Sequence, residues 1–271
     1  MTRTSGRGMS ALLKAVMAAV KLVAAEEIMP RYLKVAHQRK SDGSLCTEAD
    51  TAAQQALTRK LQAILNVPVL GEEMSGEMQR AAWLGGEEGL WCIDPIDGTS
   101  NFVRGLPYFA VSVALLRKGK SELGVVYDPI AEEMFAAEQG KGAFLNGDKL
   151  VAREASASLQ SALASVDLKR LDIRLVERLA TTPPYSSQRN FGASALDWCY
   201  TAAGRFDVYL HGGQKLWDYA AGLLILQEAD GYACCIGNDD FAQGDIWQRS
   251  VIAARDAKLF EEWKAWVREC G

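Results

Sequence analysis

One stretch constrains this chain more than any other: Leu90-Trp91-Cys92-Ile93-Asp94-Pro95-Ile96-Asp97-Gly98-Thr99. An apolar run leads straight into two aspartates, with a glycine and a hydroxyl immediately behind them. The run reads as a buried strand. A carboxylate in the last position of a buried strand is costly unless something cationic meets it. The stretch therefore predicts a strand end that carries charge into a site. Pro95 fixes its own φ and stiffens the turn, so the two aspartates keep a set geometry.

A second acidic strand end lies upstream, where "VPVLGEE" closes on Glu72 and Glu73. Several carboxylates at neighbouring strand ends repel one another, and hard cations would neutralise them. An all-oxygen ligand set favours Mg²⁺, Mn²⁺ or Ca²⁺ over zinc. Solvated loop acids or helix caps are the plainer alternative, which suits "GEE" alone and suits Asp-Pro-Ile-Asp-Gly-Thr poorly. Ile96 can offer its backbone carbonyl as a further hard ligand. Gly98 lets a phosphate approach the backbone closely. A helix starting at Gly98 or Thr99 would turn free N–H groups toward an anion. The Thr99 hydroxyl can orient a water. Asp218 in "LWDYAAG" has two readings, the N-cap of the following helix or a carboxylate aimed at a metal held between two halves of the chain. Together these residues favour metal-assisted hydrolysis of a phosphate ester.

Composition narrows the alternatives. With 271 residues, 49% of them hydrophobic, the chain can bury a sizeable core as one layered unit or two fused halves. A net charge of −4 argues against a nucleic-acid groove. No apolar run reaches the length of a membrane span. The basic, apolar start resembles a secretory signal, but Lys14 and Lys21 interrupt it, and Leu12, Leu13, Val16, Met17 and Val20 fit an amphipathic helix better. Residues 1–8 read as a disordered lead. The six cysteines include no Cys-x-x-Cys pair, and the plain reading is reduced, buried thiols in a cytoplasmic protein. His37 and His211 are the only histidines, which leaves little for a histidine-rich zinc site or a Ser-His-Asp triad.

Along the chain, 10–36 reads as one long helix and 37–50 as a polar, mobile loop. Thr47 and Asp50 form a capping-box pattern that opens a second helix. Residues 108–150 read as an antiparallel meander with tight turns. Beyond it come strand "LASVDL", a helix at 170–180, strand "SSQRNF", helix "ALDWCYTAAG", strand "FDVYLH", helix "DYAAGLLILQEADG", two more strands and a closing helix from about 257. The change of pattern divides the chain into an N-terminal α+β half, 9–150, holding the metal site, and a C-terminal α/β half, 151–271. The two are expected to pack as one catalytic unit.

"LWCIDPIDGTSNFVRGLPYFAVSVAL", with "GEE" before it and "LWDYAAG" after it, resembles the inositol monophosphatase family of Mg²⁺-dependent, lithium-sensitive phosphatases. The likeness runs from about residue 10 to 265. It implies a layered α-β-α-β-α sandwich, a homodimer, and two or three Mg²⁺ per site with Mn²⁺ as a substitute. The implied reaction is hydrolysis of a small phosphate monoester, of the inositol monophosphate type, by metal-activated water. Phosphatases for histidinol phosphate, 3′,5′-bisphosphate nucleotides or sugar phosphates are the alternatives within the superfamily, and a metal-binding regulatory protein is the non-enzyme alternative. The implied partner is a small phosphorylated metabolite, with neither nucleic acid nor membrane.

By position, the resemblance makes Glu72, Asp94, the Ile96 carbonyl, Asp97 and Asp218 the metal ligands. Glu72 and Thr99 would activate the water, and Asp50 would be the acidic partner of Thr99. Gly98 and Thr99 would contact phosphate, with Asp97, Gly192, Ala193, Ser194, His211 and Asp218 also bordering the substrate. Glu73 would stand behind the ligands, and Lys40 would lie in a mobile loop over the metals. The chain departs from the family pattern at His211, where inositol-cleaving members carry a glutamate seven residues before the "WD" aspartate. It departs again at Ala193, where a hydroxyl is frequent. His211 is either a loop histidine without a substrate role or a residue facing the leaving group. In the second case it suits an ester with a negative or acceptor group remote from the scissile phosphate.

Overall fold

The computed structural model describes residues 8–34, 37–39 and 45–269. The first half of the chain runs α1 (Ala11–Val23), β1 (His37–Arg39), β2 (Leu45–Thr47), α2 (Glu48–Ile64), β3 (Val69–Gly71), α3 (Gly76–Gly85), β4 (Leu90–Asp97), α4 (Thr99–Arg104), β5 (Ala110–Arg117), β6 (Lys120–Asp128), β7 (Glu133–Glu138), β8 (Gly142–Leu145) and β9 (Asp148–Lys149). The second runs β10 (Leu163–Asp167), α5 (Ile173–Thr181), β11 (Ser187–Arg189), α6 (Ser194–Ala202), β12 (Val208–Gln214), α7 (Leu216–Glu228), β13 (Tyr232–Cys234), β14 (Arg249–Ala254) and α8 (Ala257–Arg268).

Strands β3 to β9 form a seven-stranded sheet in chain order. Its first pair is parallel and the others antiparallel. A five-stranded sheet has the order β11-β10-β12-β14-β13, with β10 parallel to β11 and β12.

The two-residue period of a strand sets the layers. Odd-numbered side chains of the central strands, among them Trp91, Ile93, Val111, Val113 and Val125, pack with Leu13 and Val20 of α1 and Leu57 and Leu61 of α2. Even-numbered ones, among them Leu90, Cys92, Ala114 and Val126, pack with Trp198 of α6 and Leu224 and Ile225 of α7. Tyr209, Val251 and Ala253 of the five-stranded sheet close that same core from the other side. Behind them, Val166, Leu210 and Ile252 meet Leu175 of α5 and Trp263 of α8. The layers thus run helices, sheet, helices, sheet, helices: the α-β-α-β-α sandwich expected. A strand covered on both faces carries few polar side chains, hence the near-continuous apolar runs of β4 and β5.

Helix α7 sits tightly in the middle layer. A Cβ added at Gly124 of β6 would lie 2.8 Å from the Ala221 carbonyl oxygen, and one at Gly222 would lie 2.4 Å from Trp198 Cβ. Both contacts need glycine for closeness, not for its backbone freedom.

Several elements differ from expectation. The first helix does not run unbroken to 36. A π-helical turn at Ala24–Ile28 and a 3₁₀ turn at Met29–Arg31 end it, and Pro30 there cannot continue an α-helical ladder. Helix α3 is absent from the sequence reading. Gln79 is its one buried residue, so it lacks the apolar stripe that would reveal it. Part of the polar stretch before α2 pairs as β1 and β2, antiparallel. Residues 1–7 of the proposed lead, and Lys40, lie outside the described residues. Cys92, Cys199, Cys234 and Cys235 are free thiols. No helix among the described residues is long and apolar enough to cross a membrane.

Candidate active site

Strand β4 slips register against β5 between Asp94 and Asp97. Such an irregularity bends a strand and re-aims its side chains. Asp94 and Asp97 are buried, and each is held by a backbone donor. Ile96 N–H donates to Asp94 Oδ1 at 3.0 Å, and Ala195 N–H donates to Asp97 Oδ2 at 2.7 Å. Half-buried Asp218 joins them from α7. Its N-cap reading needs correction, because Lys215 is the N-cap. Asp218 is the third helical residue, and its Oδ2 accepts from Lys215 N–H at 2.8 Å. The sequence reading missed this because the helix begins two residues earlier than its apolar pattern suggests.

Asp94, Asp97 and Asp218 bring carboxylate oxygens within 4.8 Å of one another. None of the three makes an ion pair among the described residues. Burial, then the charges of Glu72, Asp97 and Asp218, lifts the Asp94 carboxyl well above its ordinary range. Asp97 is lifted likewise by burial and Asp218, and Asp218 is pushed up to about 7, mainly by burial. Glu72 follows β3, borders the cleft, and shares a hydrogen bond with Asp94. A cation placed among these oxygens would relieve both the burial cost and the repulsion.

Gly98 has a φ of +91°, and a Cβ there would lie 3.1 Å from Ala193 Cβ and from the Tyr108 carbonyl oxygen. This position therefore requires glycine for conformation and for space. Thr99 starts α4. Its Oγ1 lies 3.1 Å from the Ile96 carbonyl oxygen and 3.4 Å from Asp50 Oδ1, so its one proton has two acceptors in reach. The other Asp50 oxygen accepts from Thr47 N–H and Oγ1, at 2.7 and 2.6 Å, completing the capping box of α2. Burial pushes Asp50 up to about 6. The Ile96 side chain is buried in the α1–α2 core, which leaves its carbonyl as the group near the acids. Glu73 is half-buried, and its N–H donates to Gln54 Oε1 at 2.9 Å.

A cleft of about 220 Å³ joins these residues to the second half of the chain. Glu72, Asp97, Gly98, Thr99, Gly192, Ala193, Ser194, His211 and Asp218 all line it. So do Ser100, Asp167, Lys169, Arg170 and Asp197, which sequence reasoning did not single out. The available signal was "VDLKRL", a charged segment at the end of an apolar strand. His211 is buried beside Asp167, its register partner on the parallel strand β10. Gly213 N–H donates to His211 Nδ1 at 3.0 Å, and His211 Nε2 lies 3.6 Å from Asp167 Oδ2. Burial lowers the imidazole pKa to about 4, so His211 is uncharged at neutral pH. A separate hollow of about 300 Å³ at Trp83, Leu90 and Leu116 has Glu87 and Lys118 as its charged groups among the described residues.

The sequence profile of the inositol monophosphatase family matches residues 9–270. The chain belongs to that family. Its relatives include the Nus factor SuhB of Pseudomonas aeruginosa, 36% identical over 223 residues and 79% of each chain. The Nus factor SuhB of Escherichia coli is 35% identical over 199 residues, 71% of this chain and 72% of the other. Among solved structures, a Thermotoga maritima IMPase matches with a TM-score of 0.80 at 29% identity, over 95% of this chain and 97% of that one. The extragenic suppressor protein SuhB of Bartonella henselae matches at 0.81 and 27%, over 96% and 99%. Inositol monophosphatase family membership supports phosphatase-type chemistry in a chain with an acidic cluster able to hold metal.

Proposed function

We propose that this protein is a Mg²⁺-dependent phosphatase acting on a small phosphate monoester, with inositol monophosphate as the reference substrate. The observation that carries the reading is the convergence of Asp94, Asp97 and Asp218 within 4.8 Å, with no cation paired to them among the described residues. Glu72, the Ile96 carbonyl and these three aspartates would hold two or three Mg²⁺, or Mn²⁺ in their place. The set fits, since every donor is a hard oxygen and Asp94, Asp97 and Asp218 crowd one another with no ion pair among the described residues. Such ions supply positive charge to a phosphoryl oxygen and ease removal of a proton from water.

The remaining steps belong to side chains and backbone. Thr99 Oγ1 gives its hydrogen bond to Asp50 or to the Ile96 carbonyl, which leaves its lone pairs free to accept from the attacking water. The Glu72 carboxylate takes the proton that the water loses. Gly98, whose φ of +91° turns the chain from β4 into α4, brings the backbone of that turn to the phosphate. Ala193 and Ser194 border the ester group. The hydroxide so formed attacks phosphorus in line as the P–O bond to the alcohol breaks; the departing alkoxide takes a proton from a solvent water, and Glu72 returns its proton to solvent. From the family likeness, this reading also takes the protein as a cytoplasmic homodimer inhibited by lithium.

The test is phosphate release from a panel that includes inositol 1-phosphate, histidinol phosphate, a 3′,5′-bisphosphate nucleotide and a sugar phosphate. Release is expected with Mg²⁺ or Mn²⁺, to be lost on chelation, and to fall with millimolar lithium. No release from any ester would sink the proposal. The name Nus factor borne by the SuhB relatives favours a second reading, in which the chain acts as such a factor. In that case its cellular role would survive a substitution that abolishes phosphate release.

A further inference from the structure

Lys169 and Arg170 follow β10 directly and line the same cleft as the carboxylates. Both are exposed, and neither makes an ion pair among the described residues. The turn that carries them is tightly fixed. Lys169 N–H donates to Asp167 Oδ1 at 2.7 Å. Arg170 adopts a φ of +63°, an uncommon conformation for a residue with a Cβ. Its backbone lies against Gly212, where an added Cβ would sit 2.3 Å from the Arg170 carbonyl carbon. Arg170 Nη1 donates to the Gly213 carbonyl at 3.0 Å. Two adjacent glycines thus let the basic turn settle on β12 where that strand loses register, between His211 and Gln214.

His211 brings no substitute for the carboxylate that the family pattern expects there. Its Nδ1 is occupied by Gly213 N–H, and its Nε2 faces Asp167. Asp167 in turn spends one oxygen on Lys169 N–H. The turn after β10 therefore presents two positive side chains to the cleft against the one negative charge of Asp167. A hydroxyl-rich neutral group gains little from two unpaired cations, whereas a carboxylate or phosphate accepts charge-assisted hydrogen bonds from both.

We propose that Lys169 and Arg170 form a subsite for a second anionic group of the substrate, a carboxylate or another phosphate. The preferred ester is then doubly anionic, and neutral polyol phosphates are poorer substrates. The inference rests on the phosphatase reading above. The test compares kcat/KM for 3-phosphoglycerate and fructose 1,6-bisphosphate with that for glycerol 2-phosphate and inositol 1-phosphate, all with Mg²⁺. The first two probes separate a carboxylate from a phosphate as the second anion. The wild type should favour the doubly anionic pair. In Lys169→Gln and in Arg170→Gln the ratio should fall about tenfold each, the scale of one charge-assisted hydrogen bond. The loss should appear in KM, and Arg170→Lys should restore part of it.

Lys169 is exposed, so Lys169→Gln leaves folding intact and decides the matter even if Arg170→Gln disturbs the turn. A wild type that favours the neutral esters, or a ratio unmoved by Lys169→Gln, would overturn the subsite. If no ester is hydrolysed, the phosphatase reading fails by itself. Calorimetric binding of 3-phosphoglycerate against glycerol 2-phosphate, with Ca²⁺, then decides the subsite. Tighter binding of the first that is lost in Lys169→Gln upholds it, and equal binding overturns it.

Discussion

On the β4–α7 side of the cleft, Asp94 and Asp97 are buried, Asp218 is half-buried, and each is pinned by a backbone N–H. On the β10 side, Lys169 and Arg170 are exposed, and a turn rather than a core fixes their position. The first group is held in place by buried neighbours and backbone donors. The second can change its side chains at small cost to stability. The difference suggests a division of labour, with the reaction set by the buried acids and the choice of ester by the exposed cations.

The hardest blow to that division is Asp94→Asn. Turnover should fall roughly a thousandfold or more, because a central carboxylate of the proposed metal set is lost. The fold should survive, with an unchanged or higher Tm in chelator, since one of several crowded charges is gone. Phosphate release and a thermal melt check both, and near-normal turnover would break the comparison. Thr99→Ala comes next, with kcat lower by about a hundredfold if its hydroxyl orients the water. A variant that loses KM instead would move Thr99 into substrate binding.

Asp197 lines the cleft without belonging to either group. It accepts from Tyr108 OH at 3.0 Å, and burial pushes its pKa from 3.8 up to about 7. The folded state therefore holds a proton that the unfolded state releases above pH 4. This contribution to stability is present below pH 4 and is lost as pH rises towards 7. Asp197→Asn should flatten that part of the curve in urea melts between pH 4.5 and 7.5. The smallest effect should come from Ile96→Val, about 1 kcal/mol of stability from a lost buried methylene. Turnover should fall far less than in Asp94→Asn, because the proposed role of Ile96 uses its carbonyl.

The acid side was legible in the sequence because its chemistry is contiguous. Asp94, Ile96, Asp97, Gly98 and Thr99 lie within six positions, and a buried strand leading into charge is hard to read otherwise. The mix of strands and helices was legible from short apolar runs and helical periods, and the layered sandwich from the resemblance to the inositol monophosphatase family. The basic side was not, because it depends on a non-local pairing. Asp167 meets His211 only through the register of β10 on β12, and Lys169 and Arg170 reach the cleft only because Gly212 and Gly213 leave room for their turn. Helix α3 escaped for want of an apolar face, and the π-helical turn after α1 has no composition that marks it.

The close seating of α7 reaches beyond packing. An α-helix advances about 1.5 Å and turns roughly 100° per residue. A slip of one residue would swing Asp218 away from Asp94 and Asp97. Gly124 beneath Ala221 and Gly222 against Trp198 act as an indexing key that admits one setting of the helix. Positional tolerance at the acids is thereby machined into the centre of the molecule, and wear at that key would show first as misaligned oxygens rather than as a lost fold.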